Sequence, residues 1–138
     1  MMTGSVGAPR LGQEKRVLSS ASSLRILIVE DDAGVADLLA EMLGDLGHQV
    51  VATEHARDAA LARAETVQAD LAILDINLGG RPAFPIADRL RARGIPVVFA
   101  TGYGILELTG KYANAALLKK PFDTAGLAAI LSGVRRAA

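Results

Sequence analysis

Four short apolar runs in this chain each end in a polar side chain that can do chemistry. These side chains are, in chain order, Glu30, Asp31 and Asp32, then Asp75, then Thr101, and finally Lys120. In an open parallel α/β sheet, ligands bind outside the carboxyl ends of the strands, so we expect the four ends to meet. Carboxylates, a hydroxyl and an ammonium together are suited to binding a divalent cation and a phosphoryl group.

The acids Glu30, Asp31 and Asp75 predict a magnesium site. Two carboxylates about 5 Å apart repel each other by ~3 kcal/mol at an effective dielectric constant of about 20, so stability alone does not explain three in one place. Mg²⁺ prefers oxygen ligands and usually bridges one or two carboxylates to a phosphate. The alternative is that these acids only cap helices or lie in solvent, which is what we expect of Asp32.

Lys120 follows an apolar strand, and a buried lysine needs a partner of opposite charge. Asp75 is the expected partner, whereas Lys119 should point to the other face of its strand. Thr101 precedes a glycine, so we expect its hydroxyl to be exposed to a phosphate oxygen. Because an aspartate can attack phosphorus, Asp75 is the candidate phosphoacceptor, with Lys120 and Thr101 neutralising charge on the phosphoryl oxygens.

Apolar runs and helical periodicity alternate along the chain and indicate the elements that hold these side chains. Five strands alternating with five helices predict an α/β fold with a doubly wound parallel sheet covered on both faces. The expected strands are 25–29, 48–53, 70–74, 95–100 and 115–118. The expected helices lie between Asp32 and Gly47, over 56–66, up to Arg93, over 105–111 and from about Asp123 onward, with an irregular loop at Gly79, Gly80, Pro82 and Pro85.

The composition narrows the classes of function. The 138 residues are 51% hydrophobic and 4% aromatic, which fits one domain with an aliphatic core and argues against stacking platforms for single-stranded nucleic acid. The 15 lysines and arginines balance 15 acidic residues, so we expect neither nucleic acid nor a membrane as a partner. Without cysteine there is no thiolate chemistry, and we expect structural surface roles for His48 and His55.

Residues 1–23 differ from the rest of the chain, because they are rich in Gly, Ser and Ala. They contain no continuous apolar segment of the kind that a secretory signal needs. No apolar run elsewhere approaches the ~18–20 residues of a membrane span. We therefore expect a disordered tail over 1–23, one domain over 24–138 and a cytoplasmic protein.

Taken in order, these motifs resemble the receiver domain of two-component response regulators, from Leu24 to about Arg136. The resemblance implies the flavodoxin-like (βα)5 fold with strand order 2-1-3-4-5. It implies a single-domain response regulator of a phosphorelay, with no DNA-binding output domain. Such a protein accepts a phosphoryl group from a sensor histidine kinase or a histidine phosphotransferase, and a downstream regulator protein is a further partner. It is a phosphoacceptor that assists its own phosphorylation and dephosphorylation, rather than an enzyme.

The resemblance also assigns roles at the site. The phosphoacceptor is Asp75, and the peptide bond Lys120–Pro121 is usually cis in this family. The other implied roles are Mg²⁺ binding by Glu30, Asp31, Asp75 and the backbone carbonyl of Asn77, and phosphoryl binding by Thr101 and Lys120.

The run Phe99-Ala100-Thr101-Gly102-Tyr103-Gly104 is similar to the FATGUY motif of stand-alone receivers from alphaproteobacteria, which work in stress-response phosphorelays. The family often has Tyr or Phe three residues before the lysine, as a rotating switch aromatic. Here that position is Leu117. We therefore expect Tyr103 to take over this role, on a hinge formed by Gly102 and Gly104.

Three other functions compete with this interpretation. An aspartate-nucleophile phosphatase typically has a second Asp two residues after the nucleophile, where this chain has Asn77. A nucleotide- or flavin-binding domain would have a Gly-rich loop after the first strand, where this chain has three acids. A receiver-like domain that only binds partners would not need every one of the key residues, all of which are present.

Overall fold

The structure is a computed structural model and describes residues 23–102, 108 and 110–137. In these residues the predicted alternation of strands and helices holds with two differences: two short additional strands follow the third predicted strand, and a 3-10 turn lies before the last strand. The strands are β1 (Arg25–Val29), β2 (Gln49–Glu54), β3 (Leu71–Asp75), β4 (Asn77–Leu78), β5 (Arg81–Pro82), β6 (Val97–Thr101) and β7 (Ala116–Lys119). The helices are α1 (Ala33–Asp45), α2 (Arg57–Thr66), α3 (Phe84–Ala92) and α4 (Thr124–Ala137).

Five parallel strands form the main sheet in the order β2-β1-β3-β6-β7. Because the short strands β4 and β5 enter the numbering, this order is the predicted 2-1-3-4-5, which is confirmed. Strand β3 lies in the centre and is buried along its whole length. The order places the carboxyl ends of β1, β3, β6 and β7 along one edge of the sheet, so the residues that follow these strands are neighbours.

Helices cover both faces of the sheet, as a doubly wound fold requires. Side chains alternate along β1, so that Leu27 and Val29 belong to one buried cluster while Ile26 and Ile28 belong to another. The first cluster packs against α2 and α3, and the second packs against α1 and α4. The strands are therefore buried on both sides, which explains why their sequences are continuous apolar runs.

Helix α1 begins where the acid run predicted. Asp32 is its N-cap, and the Oδ1 atom of Asp32 accepts a hydrogen bond of 3.0 Å from the backbone N–H of Val35. Leu38, which shares the helical spacing of the apolar residues, is 48% exposed. Leu39 and Leu43 form the buried stripe instead, so Leu38 lies at the border between the core face and solvent.

Strands β4 and β5 form a small antiparallel hairpin where an irregular loop was expected, so that expectation was wrong. The turn consists of Gly79 and Gly80, whose φ angles of 57° and 83° lie in the left-handed region that glycine adopts without a Cβ penalty. Strands of two residues are too short to show a period in the sequence. The hairpin follows Asp75 closely and therefore lies beside the acidic residues.

Several expected segments lie outside the described residues. These are the tail over 1–22, Tyr103, and most of the expected helix 105–111. The described end of that helix lies in a 3-10 turn at Gly110–Tyr112. Within the part of the chain that the structure describes, no helix is long and apolar enough to cross a membrane.

Candidate functional site

The carboxyl ends of the strands surround a cavity of about 630 Å³. Asp75 is the last residue of β3, and Thr101 is the last residue of β6. Lys120 directly follows β7. Residues from all three strand ends, from the end of β1 and from the hairpin line the cavity: Asp31, Asp75, Ile76, Asn77, Gly80, Ala100, Thr101, Gly102 and Lys120.

Lys120 links two buried acids at the edge of this cavity. The Nζ atom of Lys120 lies 2.7 Å from Oε1 of Glu30 and 3.0 Å from Oδ1 of Asp75. The carboxylate side chains are only 3% and 5% exposed, whereas the lysine side chain is 25% exposed. The expected pairing with Asp75 is present, but Glu30, which was not expected as a partner of Lys120, is the nearer of the two acids. The Lys120 ammonium therefore lies on the solvent side of the two carboxylates and forms an ion pair with each.

Glu30 and its two acidic neighbours in sequence have different surroundings. The backbone N–H of Asp32 donates to Oε2 of Glu30 at 3.0 Å, which fixes the orientation of that carboxylate. Asp31 is exposed, and its Oδ2 atom accepts from the backbone N–H of Gly79 at 3.3 Å. The hairpin turn thus contacts the acidic cluster directly. Asp32 caps α1 and does not line the cavity.

The electrostatic environment shifts the pKa values of three groups in the site. Burial and the neighbouring Glu30 raise the pKa of Asp75 to about 8, although Lys120 opposes this shift. Burial alone would lower the pKa of Lys120, but its bonds to Glu30 and Asp75 raise it overall. Burial would raise the pKa of Asp31, yet the N–H of Gly79 and the neighbouring groups lower it. Keeping Asp75 ionised at neutral pH therefore needs additional positive charge.

The carboxylates of Glu30, Asp31 and Asp75 fit a divalent cation. One oxygen from each lies within 4.8 Å of the others. The Oε1 atom of Glu30 and the Oδ1 atom of Asp75 are buried and, although close to Lys120, have no hydrogen bond of good geometry. Three carboxylates face one ammonium, so two negative charges are unbalanced when all four groups are ionised. An all-oxygen site of this charge suits Mg²⁺.

The remaining predicted site residues lie at the mouth of the cavity. Asn77 and Gly102 are exposed and line the cavity, and the buried residue Thr101 lines it as well. Thr101 is the last residue of β6 and is only 4% exposed, yet it lines the cavity; that its hydroxyl meets a phosphate oxygen stays a prediction. The peptide bond Lys120–Pro121 is cis, as the resemblance implied.

The two histidines bond to the backbone and take no part in the acidic cluster. Nδ1 of His48 accepts from the backbone N–H of Leu24 at 3.1 Å. Nδ1 of His55 lies 3.0 Å from the backbone oxygen of Glu30. These contacts fit the structural roles expected of both side chains.

Comparison with known proteins gives one consistent family. The family model described as the response regulator receiver domain matches residues 26–132. The phyllosphere-induced regulator PhyR of Methylorubrum extorquens is 33% identical over 121 residues, which cover 85% of this chain and 45% of PhyR. This chain spans about half the length of the curated relatives that it matches.

Solved structures agree with this result. The solution structure of SdrG from Sphingomonas melonis Fr1 is 39% identical, with a TM-score of 0.74, and the match covers 83% of this chain and 98% of SdrG. A mutant of the anti-anti-sigma factor PhyR from Bartonella quintana is 27% identical, with a TM-score of 0.70, and the match covers 87% of this chain and 55% of that protein.

Proposed function

This chain belongs to the family of response regulator receiver domains, and from that premise we propose that it takes one phosphoryl group onto Asp75 and signals through contacts with other proteins. Receiver domains are signalling phosphoacceptors of two-component systems. The donor proposed here is a phosphohistidine on a sensor histidine kinase or a histidine phosphotransferase. The proposed setting is the cytoplasm.

The observation that carries the proposal is the position of Asp75. This side chain lines the cavity together with Thr101, and its Oδ1 atom lies 3.0 Å from the Lys120 ammonium. A carboxylate oxygen of Asp75 attacks phosphorus; the new P–O bond forms as the P–N bond breaks, and the bonding electrons leave with the imidazole nitrogen. Lys120 then binds a phosphoryl oxygen, and Thr101 donates its hydroxyl to another.

Glu30, Asp31 and Asp75, with the backbone carbonyl of Asn77, would hold Mg²⁺. When bound, the ion supplies positive charge that neutralises the phosphoryl oxygens and lowers the repulsion between donor and acceptor. The Lys120 ammonium and the buried hydroxyl of Thr101 supply the other contacts to the phosphoryl oxygens. The short distances between the strand ends bring these groups together.

The downstream partner is suggested by the relatives alone. One of them is named as an anti-anti-sigma factor, and the chain covers 55% of its length. We therefore propose a regulator protein of a stress response as the target, reached either by direct contact or by passing the phosphoryl group on.

The test is incubation with Mg²⁺ and acetyl phosphate, followed by intact mass measurement. We expect a gain of one phosphoryl group in the natural protein and none in Asp75→Asn. Asp58→Asn, which removes an exposed carboxylate from α2, is the matched control and should be labelled normally. Consumption of acetyl phosphate without an adduct would favour a phosphatase, and a completely inert protein would favour a receiver-like domain that only binds partners.

A further inference from the structure

Three aromatic rings form a cluster on the α2 and α3 side of the sheet. The rings of Phe84 and Tyr112 are stacked with their centroids 5.2 Å apart. Phe99 meets both rings edge-on, at 5.6 Å from Phe84 and 5.2 Å from Tyr112. Tyr112 is 3% exposed and Phe99 is fully buried. Because these rings are closely packed, a displacement of one ring is transmitted to the other two.

The cluster connects the two elements that border the phosphoryl site. Phe99 lies two residues before Thr101 on β6, and side chains two apart on a strand face the same side of the sheet. Phe84 is the first residue of α3, immediately after the segment that contains the hairpin and begins at Asp75. A displacement of the segment after Asp75 therefore reaches Tyr112 through the ring of Phe84. A displacement of Thr101 reaches Tyr112 through the ring of Phe99.

The hydroxyl of Tyr112 is held by a carboxylate on α3. It donates to Oδ1 of Asp88, and Nζ of Lys111 lies 2.8 Å from the same oxygen. One carboxylate therefore binds two consecutive residues of the 3-10 turn. Asp88 and Lys111 are 45% and 68% exposed, so both charged partners can turn into solvent when the contact opens. Burial and Asp88 raise the pKa of Tyr112 to about 12.

The same cluster lies beside the position where the aromatic switch residue is missing. Leu117 pairs with Phe99 in the register of β6 and β7, and it packs against the same buried cluster. Leu117 has no ring and no hydroxyl. Tyr112 supplies both, and its ring contacts the same Phe99.

We propose that the contact between Tyr112, Asp88 and Lys111 is a latch that holds the turn Gly110–Tyr112 on α3 in the unphosphorylated protein, and that phosphorylation of Asp75 opens it. This inference rests on the function proposed above. Opening the latch frees the Asp88 carboxylate and the Lys111 ammonium on an exposed surface, which then differs between the two states. By linkage, a contact that favours the unphosphorylated state must oppose phosphorylation.

The first test removes the hydroxyl and keeps the ring. With acetyl phosphate and Mg²⁺, Tyr112→Phe and Asp88→Ala should each be phosphorylated roughly three- to tenfold faster than the natural protein, because the hydrogen bond between the phenol and the carboxylate no longer opposes the change. Asp70→Asn is the control, since it breaks the exposed pair of Asp70 with Arg25 at the opposite end of the strands. It should leave the rate unchanged.

The second test observes Tyr112 directly. The chain has two tyrosines, so in Tyr103→Phe a single ¹³C-labelled tyrosine ring signal reports on Tyr112. This signal should shift on phosphorylation, and the shift should be absent in Tyr103→Phe combined with Asp75→Asn. If Asp75 is phosphorylated but the tyrosine signal does not shift, the latch is overturned and the proposed function is left intact. The same holds if Asp75 is phosphorylated at unchanged rates in both latch variants. Absence of any adduct overturns both. If Tyr112→Phe fails to fold, Asp88→Ala breaks the same bond from its exposed side.

Discussion

Lys120 is the residue on which the balance of charge in the site depends. It is the counter-charge for the buried acids Glu30 and Asp75. Its type and position after an apolar strand were enough to predict a buried lysine with an acidic partner. That Glu30 is the nearer partner could not be predicted, because the distance depends on how strands β1 and β7 lie on either side of β3 and β6.

Replacing Lys120 by Met should destabilise the metal-free protein by about 1–3 kcal/mol, because two buried carboxylates lose their partner while Asp75 can relieve part of the cost by taking up a proton. Urea unfolding in a chelator measures this change. Lys119→Met is the matched control, since Lys119 is exposed and is the last residue of β7, directly before Lys120. Equal stability of the two variants would contradict the assigned role of Lys120.

The raised pKa of Tyr112 predicts how the free energy of unfolding changes at alkaline pH. An unfolded tyrosine loses its proton near pH 10, whereas Tyr112 keeps it to about pH 12. The folded state therefore holds more protons between these values, and the free energy of unfolding should fall as pH rises from 10 to 12. In Tyr103→Phe, absorbance of the tyrosinate should show a midpoint near 12, lowered in Asp88→Asn. The same midpoint in both proteins would show that the phenol is not held by Asp88.

The elements that hold the site were largely predictable, because buried parallel strands and amphipathic helices leave clear periods in the sequence. The failures have local causes. The hairpin of β4 and β5 is too short for a period, and its Gly-Gly pair indicates a turn without indicating pairing. The 3-10 turn at Gly110–Tyr112 depends on the packing of Tyr112 between Phe84 and Phe99, which links segments distant in sequence.

Two glycines at the end of α1 should respond to substitution in opposite directions. Gly44 is helical and a Cβ there would meet nothing within 4 Å, so Gly44→Ala should raise the free energy of unfolding by about 0.5–1 kcal/mol. Gly47 has a φ angle of 90°, so Gly47→Ala should lower it by about 1 kcal/mol. Urea unfolding measures both, and phosphorylation rates should stay unchanged. A loss of stability in both variants would mean that helix α1 ends earlier than described.

At the scale of the whole molecule, the doubly wound sheet brings together side chains that are far apart in sequence. Glu30 and Asp75 are held on adjacent strands, and Thr101 and Lys120 follow on the next two. The order of the strands was predictable only through the resemblance, since periodicity shows that strands exist and not how they are arranged. The extent of the domain, 24–138, and the tail before it stay predictions.

Magnesium should raise the free energy of unfolding of the whole domain. It binds the acidic side chains that folding brings together and does not bind them when they are far apart in the unfolded chain. At a Mg²⁺ concentration about 100 times the Kd, the gain is ~2.7 kcal/mol. Thermal unfolding should therefore shift upward with Mg²⁺ and return to its starting value with chelator. Asp31→Asn should lose most of this shift, whereas Asp37→Asn, which changes an exposed acid on α1, should keep it. The same shift in both variants would exclude Asp31 as a ligand.

Strand β7 is one of the two open edges of the sheet. An open edge offers unpaired backbone groups on which a strand of another molecule can be added, a common route to aggregation. This edge is only four residues long and runs directly into Lys119, Lys120 and Pro121. The charge of the exposed Lys119 should repel an identical strand, and proline has no N–H with which to extend the pairing. The sheet therefore ends next to the site in residues that disfavour its growth between molecules, and variants at Lys119 or Pro121 should be checked for self-association before a loss of signalling is attributed to chemistry.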